Sequence, residues 1–560
     1  MIPYRQNNRG TVAQRTVLLL LCAFALVLIL VKPAQVPPLW FDEGWNLSVA
    51  RNLVDSGMYA QLSLGEPVPP TLLSTGLPGI APIALSFELF GVGAWQGRLP
   101  GQLFTALALL LLCLLASKLF NPKVATAALF IALLMTGAHA HLHPVVLGRQ
   151  ALGEMPAISF LLMGYLCMLA GWRKRPWLIV PGAVFWSLGL STKPQTLPFF
   201  AISLAVPMAL AAARREWRWT GLLASALIGS LLGFVAWDQL PNLLFPQVAL
   251  PHSRLSDLLA GIIERRANTM LDMTFVTTLA PHLNALKASW IVVLPALAGI
   301  VYAIWVTARR WLSARNWTSD TQITGLAVLC LTTSWFAWWA LLSIGWLRYL
   351  FPALFISCIF TAALLHDLTG GFSLSFTVAL FTDRAKSRRR SIRGLALLVT
   401  IAFICIATFT SLRTLGNAYI RDVDGSLEQI IAFLNEEAPR EAVVETFESE
   451  LLFLLDRPYH YPSNEIQLQL NRRTFLGQDV SIEYDPLQAQ PQYLVIGPMA
   501  KLWKLYDPAV NTGLFRPLRQ FGMYDLYERA PAAAGIPELT VPARLSATSW
   551  GRIRDSFILQ

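Results

Sequence analysis

Long apolar runs constrain the fold of this 560-residue sequence more than any other feature. Each run is close to the length that an α-helix needs to cross roughly 30 Å of hydrocarbon. The composition agrees, because 55% of the residues are hydrophobic and only 14% are charged, whereas soluble domains average about 25% charged residues. We therefore predict a polytopic α-helical membrane protein with eleven transmembrane helices. The predicted spans lie near residues 14–32, 99–117, 123–139, 155–172, 177–192, 196–213, 219–237, 288–308, 323–345, 349–366 and 393–412.

The loops between the predicted spans alternate in charge. Residues 1–412 carry 30 Lys and Arg against 14 Asp and Glu, whereas residues 413–560 carry 14 against 19. The basic side chains recur in every second loop, which is typical of loops that stay in the cytoplasm. We therefore expect a cytoplasmic N-terminus, with segments 33–98 and 238–287 and everything after residue 413 on the outer face. Because the basic residues lie in short separate loops, nucleic acid is not an expected partner, whereas membrane lipids are.

The N-terminal run and the loop that follows it have features of their own. The run begins with basic residues and could be a cleaved signal peptide. We expect it to be retained, because no clear small-x-small cleavage site precedes Pro37. In the first outer loop, residues 33–98, the side chains of Trp45, Val49 and Leu53 recur at helical spacing. This spacing predicts a helix that lies in the membrane interface.

The sequence predicts two domains, a membrane domain of residues 1–412 and a soluble extracytoplasmic α/β domain of residues 413–560. All six cysteines lie in apolar runs, so neither a disulfide framework nor a zinc finger is expected. In the second domain we predict helices near 425–437 and 449–455, strands near 443–447 and 493–496, and a β-rich stretch near 514–528.

Ionisable side chains gather at the outer ends of the predicted spans. The acids could serve as a general base or as oxygen ligands of a divalent cation, and neighbouring cations could bind a phosphate. A structural interpretation stays open for each, since Asp42 could cap a helix and a basic side chain at a span end commonly extends to lipid headgroups. A functional role is favoured for Glu154, because an unpaired carboxylate beside a membrane span is energetically costly. The candidates are Asp42, Glu43, Arg98, Arg149, Glu154, Lys193 and Arg348.

Five segments of the sequence together resemble the GT-C glycosyltransferases. The resemblance is strongest to the bacterial branch related to protein O-mannosyltransferases and to the lipid A aminoarabinose and galacturonic acid transferases. No segment is specific alone, but their order and predicted topology are specific together. The segments are LWFDEGW at 39–45, FGVG at 90–93 followed by RLP at 98–100, GRQALGEMP at 148–156, GLSTKP at 189–194 and LRYLFP at 347–352.

The resemblance implies a GT-C-like fold in a bacterial inner membrane and a specific chemistry. A sugar, either a hexose or a pentose, would move from a polyprenyl monophosphate to a glycan, lipid or protein acceptor on the outer face, with inversion. Many relatives carry a Lys-Pro-Pro segment in the first loop, whereas this sequence has STGLPG at 74–79. A lipid A acceptor is therefore not assigned, and the need for a divalent cation stays open.

The resemblance also implies roles for single residues. Asp42 matches the first-loop acid of the family and would be the base for the acceptor hydroxyl, with Glu43 and Glu154 as further catalytic candidates. The departing lipid phosphate gains negative charge as the glycosidic bond breaks, so it needs cations. Arg98 would orient the first loop, and the residues expected to bind the phosphate are Arg149, Lys193 and Arg348.

Three other interpretations of the sequence stay open. His139, His141 and His143 could form a zinc site, although no acid other than Glu154 is near enough in sequence to support one. A polytopic transporter or lipid flippase would place ionisable groups near mid-span, whereas the candidates here lie at the outer helix ends. A third possibility is a non-catalytic envelope assembly protein whose C-terminal domain binds a partner.

Overall fold

The computed structural model describes residues 12–70, 73, 75–248, 266–267, 271–272, 275–313, 319–343, 345–373, 388–420, 424–476, 478–530 and 540–541, and every structural statement below concerns these residues. Helices dominate up to residue 420. They are α1 Val12–Leu30, α2 Phe41–Asp55, α3 Leu77–Phe90, α4 Ala94–Leu119, α5 Pro122–Leu134, α6 Pro144–Arg149, α7 Glu154–Leu169, α8 Ile179–Thr192, α9 Leu197–Ala213, α10 Trp217–Leu244, α11 Phe275–Ser313, α12 Asp320–Leu342, α13 Leu347–Leu368 and α14 Arg388–Ile420. Single 3-10 turns cover Ala140–Leu142, Pro176–Leu178, Pro194–Thr196 and Pro246–Val248.

Eight of the described helices are long and apolar enough to cross a membrane, which confirms the polytopic α-helical class. The other three predicted spans are helical but shorter, with 13 residues in α5, 16 in α7 and 14 in α8. At about 1.5 Å per residue, α5 is roughly 20 Å long. Its chain leaves the helix at Met135, and the next two amides, of Thr136 and Gly137, donate to Ser411 Oγ at 2.9 and 3.0 Å. The count of eleven spans stays a prediction.

The helix α13 lies at the centre of the membrane part. Its most apolar stretch is 83% buried inside the protein, whereas the corresponding stretch of α14 is only 17% buried. Apolar side chains of α14 such as Leu395, Val399 and Phe409 are exposed, as expected of a helix that faces lipid. Arg348, the second residue of α13, is therefore carried by the helix with the most protein around it.

The C-terminal region contains a five-stranded mixed sheet, which includes the predicted strands near 443–447 and 493–496 and the predicted β-rich stretch near 514–528. The sheet order is β6-β5-β8-β10-β9, in which β5 pairs in parallel with β6 and β8, and β10 pairs antiparallel with β8 and β9. The last membrane helix, α14, continues to Ile420, so the predicted domain boundary after 412 falls inside a helix. The helices are α15 Ser426–Ala432, α16 Ser449–Leu452, α17 Asn464–Leu476, α18 Pro498–Trp503 and α19 Asp507–Asn511, with a π-turn at Phe433–Glu437. The strands of the chain are β1 Gln61–Ser63, β2 Glu66–Val68, β3 Arg266–Ala267, β4 Leu271–Asp272, β5 Val444–Thr446, β6 Tyr459–His460, β7 Ile482–Glu483, β8 Tyr493–Ile496, β9 Phe515–Phe521, β10 Tyr524–Arg529 and β11 Thr540–Val541.

The C-terminal region packs directly on α2, the first helix of segment 33–98. A Cβ atom at Gly44 would lie 2.3 Å from the backbone nitrogen of Glu450, so only glycine allows α2 and α16 to come this close. Ser449 donates a hydrogen bond to the carbonyl of Phe41, and Arg51 Nη1 donates to the carbonyl of Leu455 at 2.9 Å. These contacts hold the start of α2 in a defined position, and Asp42 lies there.

Candidate functional site

Four of the predicted site residues meet at one point of the structure. Arg348 Nη2 lies 2.6 Å from Asp42 Oδ2, and Arg348 Nε lies 3.3 Å from Glu154 Oε1. Lys193 Nζ lies 2.6 Å from the same Glu154 oxygen. The residues come from four segments that are far apart in sequence, and their formal charges cancel. We call Asp42, Glu154, Lys193 and Arg348 the charged cluster.

Every member of the charged cluster lies at a helix end. Glu154 is the first residue of α7, Arg348 is the second residue of α13, and Lys193 follows the last residue of α8. Asp42 is the second residue of α2, and the N-cap position is held by Trp40, without any side-chain capping bond. Asp42 therefore does not cap its helix, and its carboxylate is available to Arg348.

Burial differs strongly among the four side chains. The exposed fractions are 3% for Glu154, 5% for Lys193, 12% for Arg348 and 31% for Asp42. A buried charge is tolerated only when it is paired, because removing it from water costs on the order of several kcal/mol. Glu154 meets this condition through two cations. Asp42 is the one acid of the charged cluster that solvent or an acceptor can reach.

A pocket adjoins the charged cluster. Its wall is polar at Glu154, Lys193 and Arg348 and becomes aromatic away from them. Within the described chain, Arg348 Nη1 and Nε and Glu154 Oε2 are buried without a hydrogen-bond partner, so the polar end keeps donors and an acceptor for a ligand. The aromatic wall consists of Phe199, Trp335, Trp338 and Tyr349.

Packing and hydrogen bonds order the aromatic wall. Phe199 stacks on Trp335 with ring centroids 4.6 Å apart. The indole Nε1 of Trp335 donates to the carbonyl of Tyr349 at 2.9 Å, which ties α12 to the first turn of α13. The ring of Trp40 lies 5.0 Å from the guanidinium carbon of Arg348. For Trp335 and Trp338 the sequence offered one signal, the high tryptophan content of residues 335–346.

Glu43 and Arg98 form a separate, fully buried ion pair. Arg98 Nε and Nη2 each donate to one oxygen of Glu43 at 2.7 Å, and both side chains have 0% exposure. Glu43 Oε1 also accepts from the amide of Ala151 at 3.0 Å, and Arg98 Nη1 donates to the carbonyl of Pro37 at 2.8 Å. This geometry agrees with the loop-orienting role expected of Arg98. It does not suit the catalytic role expected of Glu43, because protein donors already occupy both carboxylate oxygens.

Arg149 is likewise outside the charged cluster. Its guanidinium is fully buried and donates to backbone carbonyls at and just after the end of α1, including those of Ile29 at 3.1 Å, Val31, and Val36 at 2.9 Å. The guanidinium carbon also lies 5.1 Å from the ring centroid of Tyr419. A cation at a helix C-terminus satisfies carbonyls that have no partner inside the helix. Both Nη atoms of Arg149 are committed to this helix end and only its buried Nε lacks a partner in the described chain, so we place Arg149 outside the expected phosphate site.

The three histidines do not assemble into a metal site. His143 Nε2 donates to the carbonyl of Leu133 at 3.0 Å, and its Nδ1 accepts from the amide of Val145 at 3.2 Å, so the ring caps α6 as a neutral imidazole. Burial lowers the pKa of His143 to about 4. Burial, followed by the charges of His139 and Arg348, also lowers the pKa of His141 to about 4. Among the described residues, no group of three or more His, Cys, Asp or Glu side chains could hold a metal ion.

One buried polar residue near the charged cluster was not anticipated from the sequence. Asn46 is 1% exposed, lies one turn after Asp42 on α2, and donates to the carbonyl of Ala151 at 2.7 Å and to Thr75 Oγ1 at 3.2 Å. The spacing of four residues from Asp42 was the available signal, because residues i and i+4 share a helix face.

One family of known proteins matches part of the sequence. Residues 80–237 match the dolichyl-phosphate-mannose-protein mannosyltransferase family. This stretch includes Arg98, Arg149, Glu154 and Lys193, whereas Asp42 and Arg348 lie outside it. Among curated proteins, none matches this chain.

Solved structures match the fold over nearly the whole chain. ArnT from Cupriavidus metallidurans bound to undecaprenyl phosphate is 16% identical with a TM-score of 0.60, covering 93% of this chain and 99% of ArnT. The oligosaccharyltransferase AglB from Archaeoglobus fulgidus, in complex with an inhibitory peptide and a dolichol-phosphate, is 12% identical with a TM-score of 0.53, covering 96% and 77%. The apo form of the Archaeoglobus fulgidus oligosaccharyltransferase is 14% identical with a TM-score of 0.52, covering 89% and 71%. The chain therefore has the fold that these solved structures share, the GT-C-like fold expected from the sequence, and its residues 80–237 are similar to the mannosyltransferase family.

Proposed function

We propose that this chain is an integral-membrane glycosyltransferase that uses a polyprenyl-monophosphate sugar as its donor. The observation that carries the proposal is the charged cluster, in which one accessible acid lies beside two buried cations at the polar end of an aromatic pocket. The sugar would be transferred on the outer face of the membrane, with inversion at the anomeric carbon. The structures of ArnT with undecaprenyl phosphate and of AglB with dolichol-phosphate support this class of donor.

Lys193 and Arg348 are the proposed ligands of the donor phosphate. The donor is a phosphodiester with one negative charge, and the released polyprenyl phosphate carries close to two. Cations that are already in place stabilise this gain of charge in the transition state without reorganising. The unpartnered Nη1 of Arg348 supports the proposal, because a buried donor without an acceptor is costly until a ligand supplies one.

Asp42 is the proposed general base. It would accept the proton of the acceptor hydroxyl while the acceptor oxygen forms its bond to the anomeric carbon. The bond from that carbon to the phosphate oxygen breaks, and the electron pair leaves with the polyprenyl phosphate. The 31% exposure of Asp42 supports the assignment, since the acceptor must reach the base. One base and a direct displacement invert the anomeric carbon.

Glu154 is proposed to hold the two cations in position. Its Oε1 lies 2.6 Å from Lys193 Nζ and 3.3 Å from Arg348 Nε. Without this carboxylate, two buried cations would repel each other and desolvation would disfavour both charges. Its second oxygen, Oε2, is free within the described chain to accept from a sugar hydroxyl of the donor.

The described carboxylates do not suit a divalent cation. Asp42 and Glu154 are the two acids of the charged cluster, and the guanidinium of Arg348 lies between them. A metal site would need a third ligand, which the described residues do not group there. The proposed mechanism therefore contains no metal step.

Glu43, Arg98 and Arg149 are proposed to shape the outer loop and not to contact the substrates. The acceptor is proposed as a hydroxyl of a glycan, lipid or protein, and the donor sugar as a hexose or pentose. A bacterial inner membrane with the C-terminal region outside the cytoplasm is the proposed location.

The test measures sugar transfer by the purified protein in lipid vesicles. Wild-type protein is incubated with a panel of polyprenyl-phosphate sugars, and release of polyprenyl phosphate together with the anomeric configuration of the product is measured. We expect release with one donor class, an inverted product, and loss of both with Asp42→Asn. Movement of a lipid across the bilayer without cleavage would instead support the flippase interpretation. Absence of cleavage with the entire panel would contradict the proposal.

A further inference from the structure

We infer that Asn46 is a positioning residue, whose side-chain amide sets the spacing between the proposed base and the residues on the opposite side of the charged cluster. The inference rests on the proposed function for its kinetic consequence. Its geometric basis is independent of that function, because it concerns three backbone segments that converge on one buried amide.

The first link joins α2 to the segment that leads into α7. Glu43 accepts a hydrogen bond from the amide of Ala151 at 3.0 Å, and Asn46 donates to the carbonyl of the same residue at 2.7 Å. Both polar groups of Ala151 are therefore held by side chains three residues apart on α2. Glu154 follows Ala151 by three residues and begins α7. Hydrogen bonds to both the N–H and the C=O of Ala151 thus fix the distance between Asp42 and Glu154.

The second link joins the same amide to the segment of Lys193. Asn46 Nδ2 also donates to Thr75 Oγ1 at 3.2 Å, and the amide of the next residue, Gly76, donates to the carbonyl of Thr192 at 2.9 Å. Thr192 immediately precedes Lys193. Both hydrogens of one amide group are therefore used, one toward the Glu154 segment and one toward the Lys193 segment.

These segments pack so closely that they have little room to shift relative to one another. A Cβ atom at Gly153 would lie 3.2 Å from both the carbonyl oxygen of Thr192 and Thr75 Oγ1, and 3.4 Å from Lys193 Cδ. Thr75 and Asn46 are each 1% exposed, so water does not compete for their hydrogen bonds. The amide identity at Asn46 follows from chemistry, since a carbonyl oxygen only accepts and the group facing Ala151 must be a donor.

Turnover is expected to fall because catalysis tolerates only small displacements of the reacting groups. A displacement of about 1 Å at a catalytic group can slow a reaction about 100-fold. Loss of the Asn46 amide leaves the Glu43–Ala151 and Asp42–Arg348 contacts in place, but it removes one of the two ties from α2 to Ala151 and the tie to Thr75, which allows small displacements of Asp42. Donor binding should then persist, whereas the proton transfer to Asp42 should suffer.

Asn52 provides a matched control. It lies on the same helix, is 4% exposed, and donates Nδ2 to the carbonyl of Ala60 at 2.8 Å. Asn52→Ala therefore removes a comparable buried hydrogen bond from α2 without touching the segments of Glu154 and Lys193. Thr75 supplies a second pair of variants, because Thr75→Ser keeps the hydroxyl that accepts from Asn46 and Thr75→Val removes it.

The experiment compares the thermal unfolding midpoint, kcat and donor KM of the full-length variants in detergent. We expect Asn46→Ala to lower kcat by about 10- to 100-fold with donor KM within about threefold of wild type. Asn52→Ala should show a similar loss of thermal stability with kcat within about twofold. Thr75→Val should lower kcat and Thr75→Ser should restore it, which keeps the test available if Asn46→Ala does not fold. Equal loss of kcat in Asn46→Ala and Asn52→Ala, or a change confined to donor KM, would overturn the inference.

Hydrogen exchange separates this inference from the proposed function. Peptides covering residues 149–153 should exchange faster in Asn46→Ala than in wild type or Asn52→Ala, whether or not transfer is detected. If wild-type protein cleaves no donor, the proposed function fails while this measurement still reports on the positioning. Unchanged exchange in Asn46→Ala would show that the amide does not hold the segment.

Discussion

Arg348 Nη2 lies 2.6 Å from Asp42 Oδ2, across 306 residues of sequence. This contact joins α2, the first helix of segment 33–98, to α13, the most buried of the described helices that are long enough to span a membrane. The same guanidinium reaches Glu154 Oε1 at 3.3 Å, so it bridges the accessible acid and the buried acid. The proposed base and the proposed phosphate ligands are thereby held in one network before any substrate binds.

The first prediction concerns the base. Asp42→Asn keeps the size of the side chain and an oxygen that accepts from Arg348, but it cannot take a proton at neutral pH. Turnover should fall roughly 100-fold or more while donor binding persists. Asp55→Asn, at the exposed end of the same helix and paired with Arg51, is the control and should leave turnover unchanged. Equal turnover of Asp42→Asn and wild type would remove Asp42 from the chemistry.

The second prediction concerns the phosphate ligands. Arg348→Ala should weaken donor binding by at least about tenfold and slow transfer as well, because charge-assisted hydrogen bonds to a phosphate are lost. Arg309→Ala is the control, since this exposed guanidinium lies over the Trp305 ring near the end of α11. Donor affinity can be measured by titration with a polyprenyl phosphate. Similar losses in both variants would mean that these arginines act through general membrane anchoring.

The third prediction concerns the buried pair of Glu43 and Arg98. Arg98→Leu leaves an uncompensated carboxylate in the interior and should destabilise the protein by roughly 3–5 kcal/mol. Replacing both residues by Leu should cost less than the single change, because no charge is then left unpaired. Asp525→Asn breaks the partly exposed contact with Lys501 and should cost about 0–1 kcal/mol. Chemical unfolding followed by tryptophan fluorescence gives all three values, and a double variant less stable than Arg98→Leu would refute the explanation.

The fourth prediction concerns pH and two buried acids of the C-terminal region. Burial raises the pKa of Glu448 to about 7, although three backbone amides at the start of α18 donate to it. Burial and the charge of Glu448 raise the pKa of Glu450. The folded protein therefore binds protons more tightly than the unfolded chain. The resulting stability is fully present below the ordinary pKa of 4.5 and is lost as the pH rises through about 7.

Glu450→Gln tests this pH dependence. The amide oxygen can still accept from the hydroxyl of Tyr524, which lies 3.0 Å from Glu450 Oε1, but the side chain no longer titrates. The thermal unfolding midpoint of the variant should fall less between pH 5.5 and pH 8 than that of wild type. Glu483→Gln, at an exposed position of β7, should behave like wild type. A wild-type midpoint that rises over this range, with Glu450→Gln unchanged from it, would contradict the assignment.

The fifth prediction concerns orientation in the membrane. In a background without native cysteines, Arg516→Cys on the C-terminal sheet should react with an impermeant maleimide added outside spheroplasts. Lys174→Cys, in the basic loop after α7, should react only after the membrane is opened. Both side chains are exposed in the structure, so a lack of labelling reports on the side of the membrane and not on burial. Labelling of Lys174→Cys alone from outside would reverse the predicted topology.

The apolar runs and the charges at their ends already predicted the class of the fold and included all four residues of the charged cluster among the candidates. Long apolar runs indicate membrane-spanning helices directly, because the backbone N–H and C=O groups of a segment in hydrocarbon must form hydrogen bonds within that segment. Ionisable residues at the ends of those runs were therefore conspicuous, and Asp42, Glu154, Lys193 and Arg348 do meet in the structure. The alternation of strands and helices in the polar C-terminal part was equally visible.

Which of those ionisable residues face one another depends on the packing of helices that are distant in sequence. Glu43 and Asp42 are neighbours in sequence, yet successive helical positions differ by about 100° in direction, so Asp42 meets Arg348 and Glu43 meets Arg98. Arg149 could not be separated from Lys193 by residue type or by position at a span end, because its partners are backbone carbonyls near the end of α1. Such pairings depend on how helices pack across hundreds of residues, and local patterns of hydrophobicity and charge carry no record of them.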